Sequence, residues 1–211
     1  MGHKETIYEG ILSGDMKAVQ EAATAGLEEK IPAGDILNEA MIPAMAEVGR
    51  LFEANEYYVP EMLIAARAMK AGLAILRPEL VAAGIEPKGK VALGTVKGDL
   101  HDIGKNQVSI MIEGAGFEIM DLGVDVSPEQ FVQSVRDGAD VIGLSALLTT
   151  TMPSMKATVD ALQEAGLRDK TKVIIGGAPV TQKYADEIGA DGYGRDAAAA
   201  ANLTKTLLGV E

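Results

Sequence analysis

The stretch KVALGTVKGDLHDIGKNQVSIMIE, residues 90–113, decides how the rest of the chain is read. It opens with a short, nearly continuous apolar run from Val91 to Val96, the pattern of a strand covered on both faces. A polar loop bounded by Gly98 and Gly104 follows, and from about Gly104 to Glu113 the apolar residues return at helical spacing. Strand, loop and helix in this order open a parallel α/β unit.

Downstream the alternation continues. Further strands are expected at Glu118 to Leu122, Val141 to Ser145, Lys172 to Ile175 and, weakly, Asp191 to Tyr193. Helices are expected at about Pro128 to Arg136, Pro153 to Ala165, Val180 to Ile188 and Ala197 to Leu208. The fold class is therefore α/β: a flavodoxin-like (Rossmann-type), doubly wound, parallel five-stranded sheet, which binds ligands at the carboxyl ends of its strands.

Upstream of the linker at Glu86-Pro87-Lys88-Gly89-Lys90 nothing alternates with period two. Helices are expected near Glu5 to Leu12, from an Asp15 cap to about Ala25 with Gly26 as the stop, and from about Asp35 to Ala54. A fourth starts at Val59 with Pro60 in its first turn and carries the stripe Val59, Met62, Leu63, Ala66, Met69, Leu73 and Leu76. Four helices with short turns predict an antiparallel four-helix bundle. The expected domains are a helical cap at 1–87 and an α/β domain at 88–211.

Composition narrows the function. The chain has 211 residues, enough for two small domains at roughly 150 per domain. It has no cysteine, which excludes disulfides, thiolate metal sites and cysteine nucleophiles. Its two histidines, His3 and His101, are too few for a multi-histidine metal centre. A net charge of −12 disfavours nucleic acid and anionic membranes as partners. The N-terminus lacks the apolar stretch of a signal peptide and no run of 18 apolar residues occurs, so a cytoplasmic protein is expected.

The loop after the first strand, Gly98-Asp99-Leu100-His101-Asp102-Ile103-Gly104-Lys105-Asn106, has neither the three glycines of a dinucleotide fingerprint nor a phosphate-cradling P-loop. It offers one imidazole two residues after a carboxylate. Such a pair serves a metal that arrives with its own equatorial ligands, a haem or a corrinoid, because the carboxylate fixes the tautomer of a single axial histidine. The competing reading makes His101 a polar loop residue and Asp99 a helix cap.

The motif resembles more than a loop. Asp99-Leu100-His101-Asp102-Ile103-Gly104, then Ser145-Ala146-Leu147, then Gly176-Gly177, is similar to the D-x-H-x-x-G, S-x-L, G-G signature of cobalamin-binding domains, and the three parts fall at the ends of strands one, three and four. The helical half resembles the cap of methionine synthase and of small corrinoid proteins of methyltransferase systems, chiefly in Gly49-Arg50-Leu51-Phe52 and Tyr57-Tyr58-Val59-Pro60.

The resemblance implies that His101 becomes the lower cobalt ligand, that Asp99 accepts its second ring N–H, and that Thr151, where the family has serine, completes the relay. It implies a cofactor-binding surface of Gly98, Asp99, Leu100, His101, Asp102, Gly104, Leu147 and Thr149. Small residues at Gly104, Ser145, Gly176 and Gly177 would open the channel for the nucleotide tail, and Thr149 and the loop Arg195-Asp196-Ala197 would lie near the corrin edge. Phe52 and Val59, with Tyr57 and Tyr58 beside them, would cover the upper face, against a competing reading as plain core. The implied cofactor is cobalamin or a related corrinoid, as methylcob(III)alamin and cob(I)alamin. The implied function is to carry a methyl group on cobalt between a substrate-specific methyltransferase, expected to be a barrel enzyme, and a second methyltransferase with a folate or thiol acceptor, with a reductive activase as a further partner. On this reading the chain is a cofactor-bearing subunit rather than a catalyst by itself. The alternative is a cobalamin-dependent sensor or regulator, which usually carries a DNA-binding module; this acidic chain has no basic recognition helix.

Overall fold

The computed structural model describes residues 2–210. The chain divides into two compact units, one holding the residues up to Pro87 together with Gly114–Gly116, the other holding Lys88–Glu113 and the chain from Phe117 onward.

The first unit is helical. Helix α1 (His3–Ser13) ends at Gly14, which turns left-handed with φ 74° and returns its N–H to the last carbonyls. Asp15 then caps α2 (Met16–Glu28), its carboxylate accepting the Ala18 N–H at 3.0 Å. Gly26 does not stop this helix, contrary to expectation. It lies inside α2 and is buried, and a Cβ there would meet the Ile36 side chain at 3.1 Å, so the glycine serves packing instead of termination.

The single helix expected at Asp35 to Ala54 is in fact α3 (Ala33–Ile36), a π-helical turn (Leu37–Met41) and α4 (Ile42–Glu53). Pro43 accounts for the change: its ring cannot donate and would collide with the carbonyl four residues back in a regular helix, and one widened turn removes that collision.

Helix α5 (Val59–Ala82) starts with Glu61 accepting the Tyr58 N–H at 3.0 Å. Its buried stripe is Met62, Ala65, Ala68, Met69, Gly72, Leu76 and Leu80, while Val59, Leu63, Ala66 and Leu73 flank it half-buried. The seam is rotated from the expected stripe because small residues let helices approach closely: a Cβ on Gly72 would lie 2.7 Å from Val19 of α2. Ile7, Ile11, Val19, Met41, Met45, Met62 and Leu76 fill this core.

The second unit is a five-stranded parallel sheet in the order β2-β1-β3-β4-β5. The strands are β1 (Lys90–Val96), β2 (Glu118–Val126), β3 (Val141–Ser145), β4 (Lys172–Gly176) and β5 (Gly192–Gly194). Between and after them run α6 (Ile103–Gly114), α7 (Pro128–Arg136), α8 (Pro153–Glu164), α9 (Gln182–Ile188) and α10 (Ala197–Leu208). The central strands β1, β3 and β4 are buried nearly throughout, as their continuous apolar runs require. Phe131 of α7, fully buried, fills the gap left by Gly94 of β1.

Strand β2 runs four residues beyond the expected Leu122. Its pairing with β1 is interrupted by irregularities around Gly94 and resumes at Val126, with Gly123 and Asp125 both at positive φ. This edge is half exposed and polar, so hydrophobic patterning does not mark its end.

At the amino ends of the strands, Arg168 and the Val173 N–H each hold Asp191 at 2.7 Å, and Asp140 accepts the Lys90 N–H at 2.8 Å. These contacts close one edge of the sheet and leave the carboxyl ends, where β1 and β3 diverge to opposite neighbours, as the crevice for chemistry. No helix among the described residues is long and apolar enough to cross a membrane.

Gly177 stands where β4 leaves the sheet, at φ 130°, and a Cβ there would run into the Ala146 carbonyl. Gly177→Ala therefore combines a disfavoured backbone with a backbone collision and is expected to cost about 2 kcal/mol or more, read as a lowered midpoint in chemical denaturation.

Candidate functional site

Two loops meet at the carboxyl edge of the sheet: residues 97–102 after β1 and residues 146–152 after β3. Asp99 joins them. Its side chain is fully buried, yet each carboxylate oxygen is occupied. Oδ1 accepts the His101 backbone N–H at 3.1 Å and lies 2.7 Å from His101 Nδ1. Oδ2 accepts from the Leu147 and Leu148 backbone N–H groups at 2.8 and 3.3 Å and lies 2.7 Å from the Thr151 hydroxyl. The same hydroxyl lies 2.9 Å from the Leu148 carbonyl, so its one proton has two acceptors in reach.

Burial alone would push the Asp99 carboxyl up. The hydrogen bonds from Thr151, from the backbone and ring of His101 and from Leu147 outweigh it and hold the group well below the usual carboxylate range. Asp99 is thus an anion stabilised by a converging set of donors from both loops.

Nδ1 faces this anion, an arrangement that favours the tautomer with the proton on Nδ1 and the lone pair on Nε2. The His101 side chain is 51% exposed, so that nitrogen is within reach of a ligand. The two loops, the start of α6 and the end of β2 expose apolar side chains that a folded protein normally hides: Leu100 (71%), Leu147 and Leu148, Ile103 (75%), and Val124. Among the described residues no three or more His, Asp or Glu side chains gather as a metal site. The protein's own offer to a metal at this loop is one imidazole on an apolar platform.

The structure brings together Gly98, Asp99, Leu100, His101, Asp102, Leu147 and Thr151 in these two loops. Gly104 lies in the first turn of α6, exposed, with nothing within 4 Å of a Cβ built on it. Its own fold does not demand a glycine there, and glycine in a helix costs about 1 kcal/mol relative to alanine. Thr149 is exposed in the second loop. Ser145, Gly176 and Gly194 end neighbouring strands, and a Cβ on Gly176 would come within 3.0 Å of the Gly194 carbonyl. The smallness of Gly176 and Gly177 is thus required by the fold itself. Ala197 is buried in the first turn of α10 behind the Asp196 cap, so its methyl is occupied by packing.

In the helical unit, Phe52 near the end of α4 and Val59 at the start of α5 sit on either side of one tight turn, both partly buried. Tyr57 is tied down, its hydroxyl donating to the Leu12 carbonyl at 3.1 Å, whereas Tyr58 is 62% exposed.

Several residues escape a reading of the sequence. Asp125 accepts the Gly98 N–H at 2.7 Å and donates its own N–H to the Asp99 carbonyl at 3.0 Å. Thr95 donates to the His101 carbonyl at 2.9 Å, and Ser154 to the Lys97 carbonyl at 3.0 Å. Lys105, nearly buried, donates to Asp121 at 2.6 Å and to Asn106 at 2.8 Å, and Asn106 donates to Asp102 at 3.1 Å. Burial pushes the Asp121 carboxyl up, but Lys105 and the Gly123 N–H hold it below the usual range. The available signals were a hydroxyl at the end of a buried strand, Thr95, and a lysine inside the loop motif.

Compared with known proteins, residues 89–202 match the B12 binding domain, and residues 4–77, in the helical unit, match a second B12 binding domain model. The fold and the single presented histidine define a cobalamin-binding protein. The chain is 42% identical to a corrinoid protein of Desulfitobacterium hafniense, covering 97% of each. It is 40% identical to dimethylamine corrinoid protein 2 of Methanosarcina acetivorans, covering 99% of each. The methanol:cobalamin methyltransferase complex of Methanosarcina barkeri contains a chain that superposes with a TM-score of 0.88 at 29% identity, covering 98% of this chain and 80% of that one. The protein belongs to the corrinoid proteins of methyltransferase systems, and its cofactor is cobalamin or a related corrinoid.

Asp99 also sets an acid limit on stability. Its folded value is depressed below the ordinary 3.8, so its contribution is complete above that value and is lost as pH falls below it. Asp99→Asn is expected to cost about 2 kcal/mol near neutral pH and to lose stability less steeply than wild type between roughly pH 5 and 2, measured as urea midpoints across that range.

Proposed function

We propose that this chain carries a methyl group on corrinoid cobalt between two partners: a substrate-specific methyltransferase of barrel form that loads it, and a second methyltransferase that passes the methyl to a folate or thiol. A reductive activase completes the set. The observation that carries this reading is the buried, fully donor-saturated Asp99 holding His101 with Nε2 presented from an exposed apolar platform. The names of the relatives agree with it: a dimethylamine corrinoid protein, and a chain in a methanol:cobalamin methyltransferase complex.

The residues fit a corrinoid. A flat macrocycle needs an apolar floor and one basic nitrogen, which Leu100, Leu147, Leu148 and His101 supply. Gly104 leaves room that its own fold does not need. When bound, the group supplies a cobalt centre able to accept and release a methyl.

In this reading His101 Nε2 is the lower ligand, and Asp99 keeps the proton on Nδ1. Because Asp99 is held ionised by several donors, it stands as a fixed acceptor facing His101 Nδ1. Thr151, whose hydroxyl has both Asp99 and the Leu148 carbonyl in reach, would complete the relay. Gly98, Leu100, Asp102 and Leu147 would line the lower face, Gly104, Ser145, Gly176 and Gly177 the tail channel, and Thr149 and Ala197 the corrin edge. Phe52 and Val59, in a cap of residues 1–87, would shield the upper face of a corrinoid held by residues 88–211.

Two experiments test this. After anaerobic reconstitution, the Co(II) electron paramagnetic resonance spectrum of wild type is expected to show nitrogen superhyperfine splitting from a protein imidazole, and His101→Ala is expected to fold normally and lose it. Benzimidazole remaining on cobalt in both proteins would defeat the assignment. Phe52→Ala is expected to speed photolysis of the methyl–cobalt bond several-fold; an unchanged rate would leave Phe52 as core packing.

A further inference from the structure

The loop that carries the histidine is held at nearly every peptide, and one residue outside the signature contributes two of the contacts. The Lys97 carbonyl accepts from Ser154, the Asp99 N–H donates to the Val96 carbonyl at 3.1 Å, and the His101 carbonyl accepts from Thr95. Asp125, at the end of the edge strand β2, supplies the remaining two contacts. Its Oδ1 accepts the Gly98 N–H at 2.7 Å and its N–H donates to the Asp99 carbonyl at 3.0 Å. It therefore grips the peptides before and after the Gly98-Asp99 pair.

Asp125 reaches this place in a left-handed conformation, φ 53°, which a residue other than glycine adopts at a cost and which Asn and Asp tolerate best. Its partner Gly98 is also at positive φ, 86°. Two residues at positive φ, joined by the Gly98 N–H on the Asp125 carboxylate and followed by the Asp125 N–H on the Asp99 carbonyl, mark a contact that constrains the backbone. What it constrains is the backbone of Asp99, whose carboxylate orients the imidazole.

We propose that Asp125 is a positioning residue for the lower ligand: it acts as an acceptor on the Gly98 N–H that fixes the Asp99 backbone, and through it the placement of His101. The proposal rests on the reading of His101 as the cobalt ligand. Acceptor geometry, not charge, is the operative property.

The test compares Asp125→Gly, which keeps the left-handed backbone at no steric cost but removes the acceptor, with Asp125→Asn, which keeps both acceptor and backbone and removes the charge. In the protein without cofactor, hydrogen exchange of the His101 and Leu147 amides, both donors to Asp99, is expected to speed about tenfold in Asp125→Gly and to stay within twofold of wild type in Asp125→Asn. In the reconstituted Co(II) protein, at the pH where wild type is half imidazole-ligated, the ligated fraction is expected to fall from half to about a tenth in Asp125→Gly and to hold in Asp125→Asn. Should Asp125→Gly not fold, Asp125→Ser, too short to reach Gly98, makes the same comparison. Exchange and ligation unchanged in Asp125→Gly would overturn the proposal, as would Asp125→Asn falling with it. Wild type lacking imidazole splitting altogether would instead overturn the ligand reading, and the exchange data alone would then decide whether Asp125 positions Asp99.

Discussion

The buried carboxylate of Asp99 is the constraint on which the site depends. An anion removed from water must find donors, and here the donors come from two separate loops: the His101 backbone and ring from one, and Leu147, Leu148 and Thr151 from the other. Meeting that requirement draws the ends of β1 and β3 together and orients the imidazole in one act. The bonds that keep Asp99 ionised are also the bonds that shape the platform.

The sheet makes this possible through its order. Strands β1 and β3 are adjacent at the centre, and the connections after them leave toward opposite neighbours, the topology that opens a crevice at the carboxyl ends of such sheets. The opposite edge is closed by Asp140 and Asp191 with their backbone and arginine donors. Leu100, Ile103, Leu147 and Leu148 would be poor choices on a bare surface; around one half-exposed histidine they become the floor for a large flat cofactor.

Much of this was legible in the sequence where it is carried by periodicity. Strand β3 and helices α7 and α10 fall at the expected residues, because apolar runs and caps such as Asp196 are local signals. The D-x-H-x-x-G loop was legible because its residue types are themselves the chemistry. What was not legible depends on close approach or on distant partners. The α5 seam rotates to Ala65, Ala68 and Gly72, since side-chain size alone does not reveal which face a neighbouring helix will crowd. The π turn before Pro43 and the continuation of α2 through Gly26 are decided by tertiary fit. Asp125 is the sharpest case: its role comes from hydrogen bonds to residues 26 and 27 positions earlier, and nothing in Gly123-Val124-Asp125-Val126 points to them.

The polar edge of the sheet has a consequence for the life of the chain before it meets its cofactor. A parallel sheet with two open edges invites strand addition by another copy, and a platform of exposed leucines increases that risk. Here β5 is only three residues long, and β2 is irregular, with Asp121 and Asp125 projecting from it and Gly123 and Asp125 bending its backbone. Neither edge presents the flat, uncharged ribbon that aggregation needs. The apolar platform around His101 is thus set in a sheet whose two edges offer a second copy little to pair with.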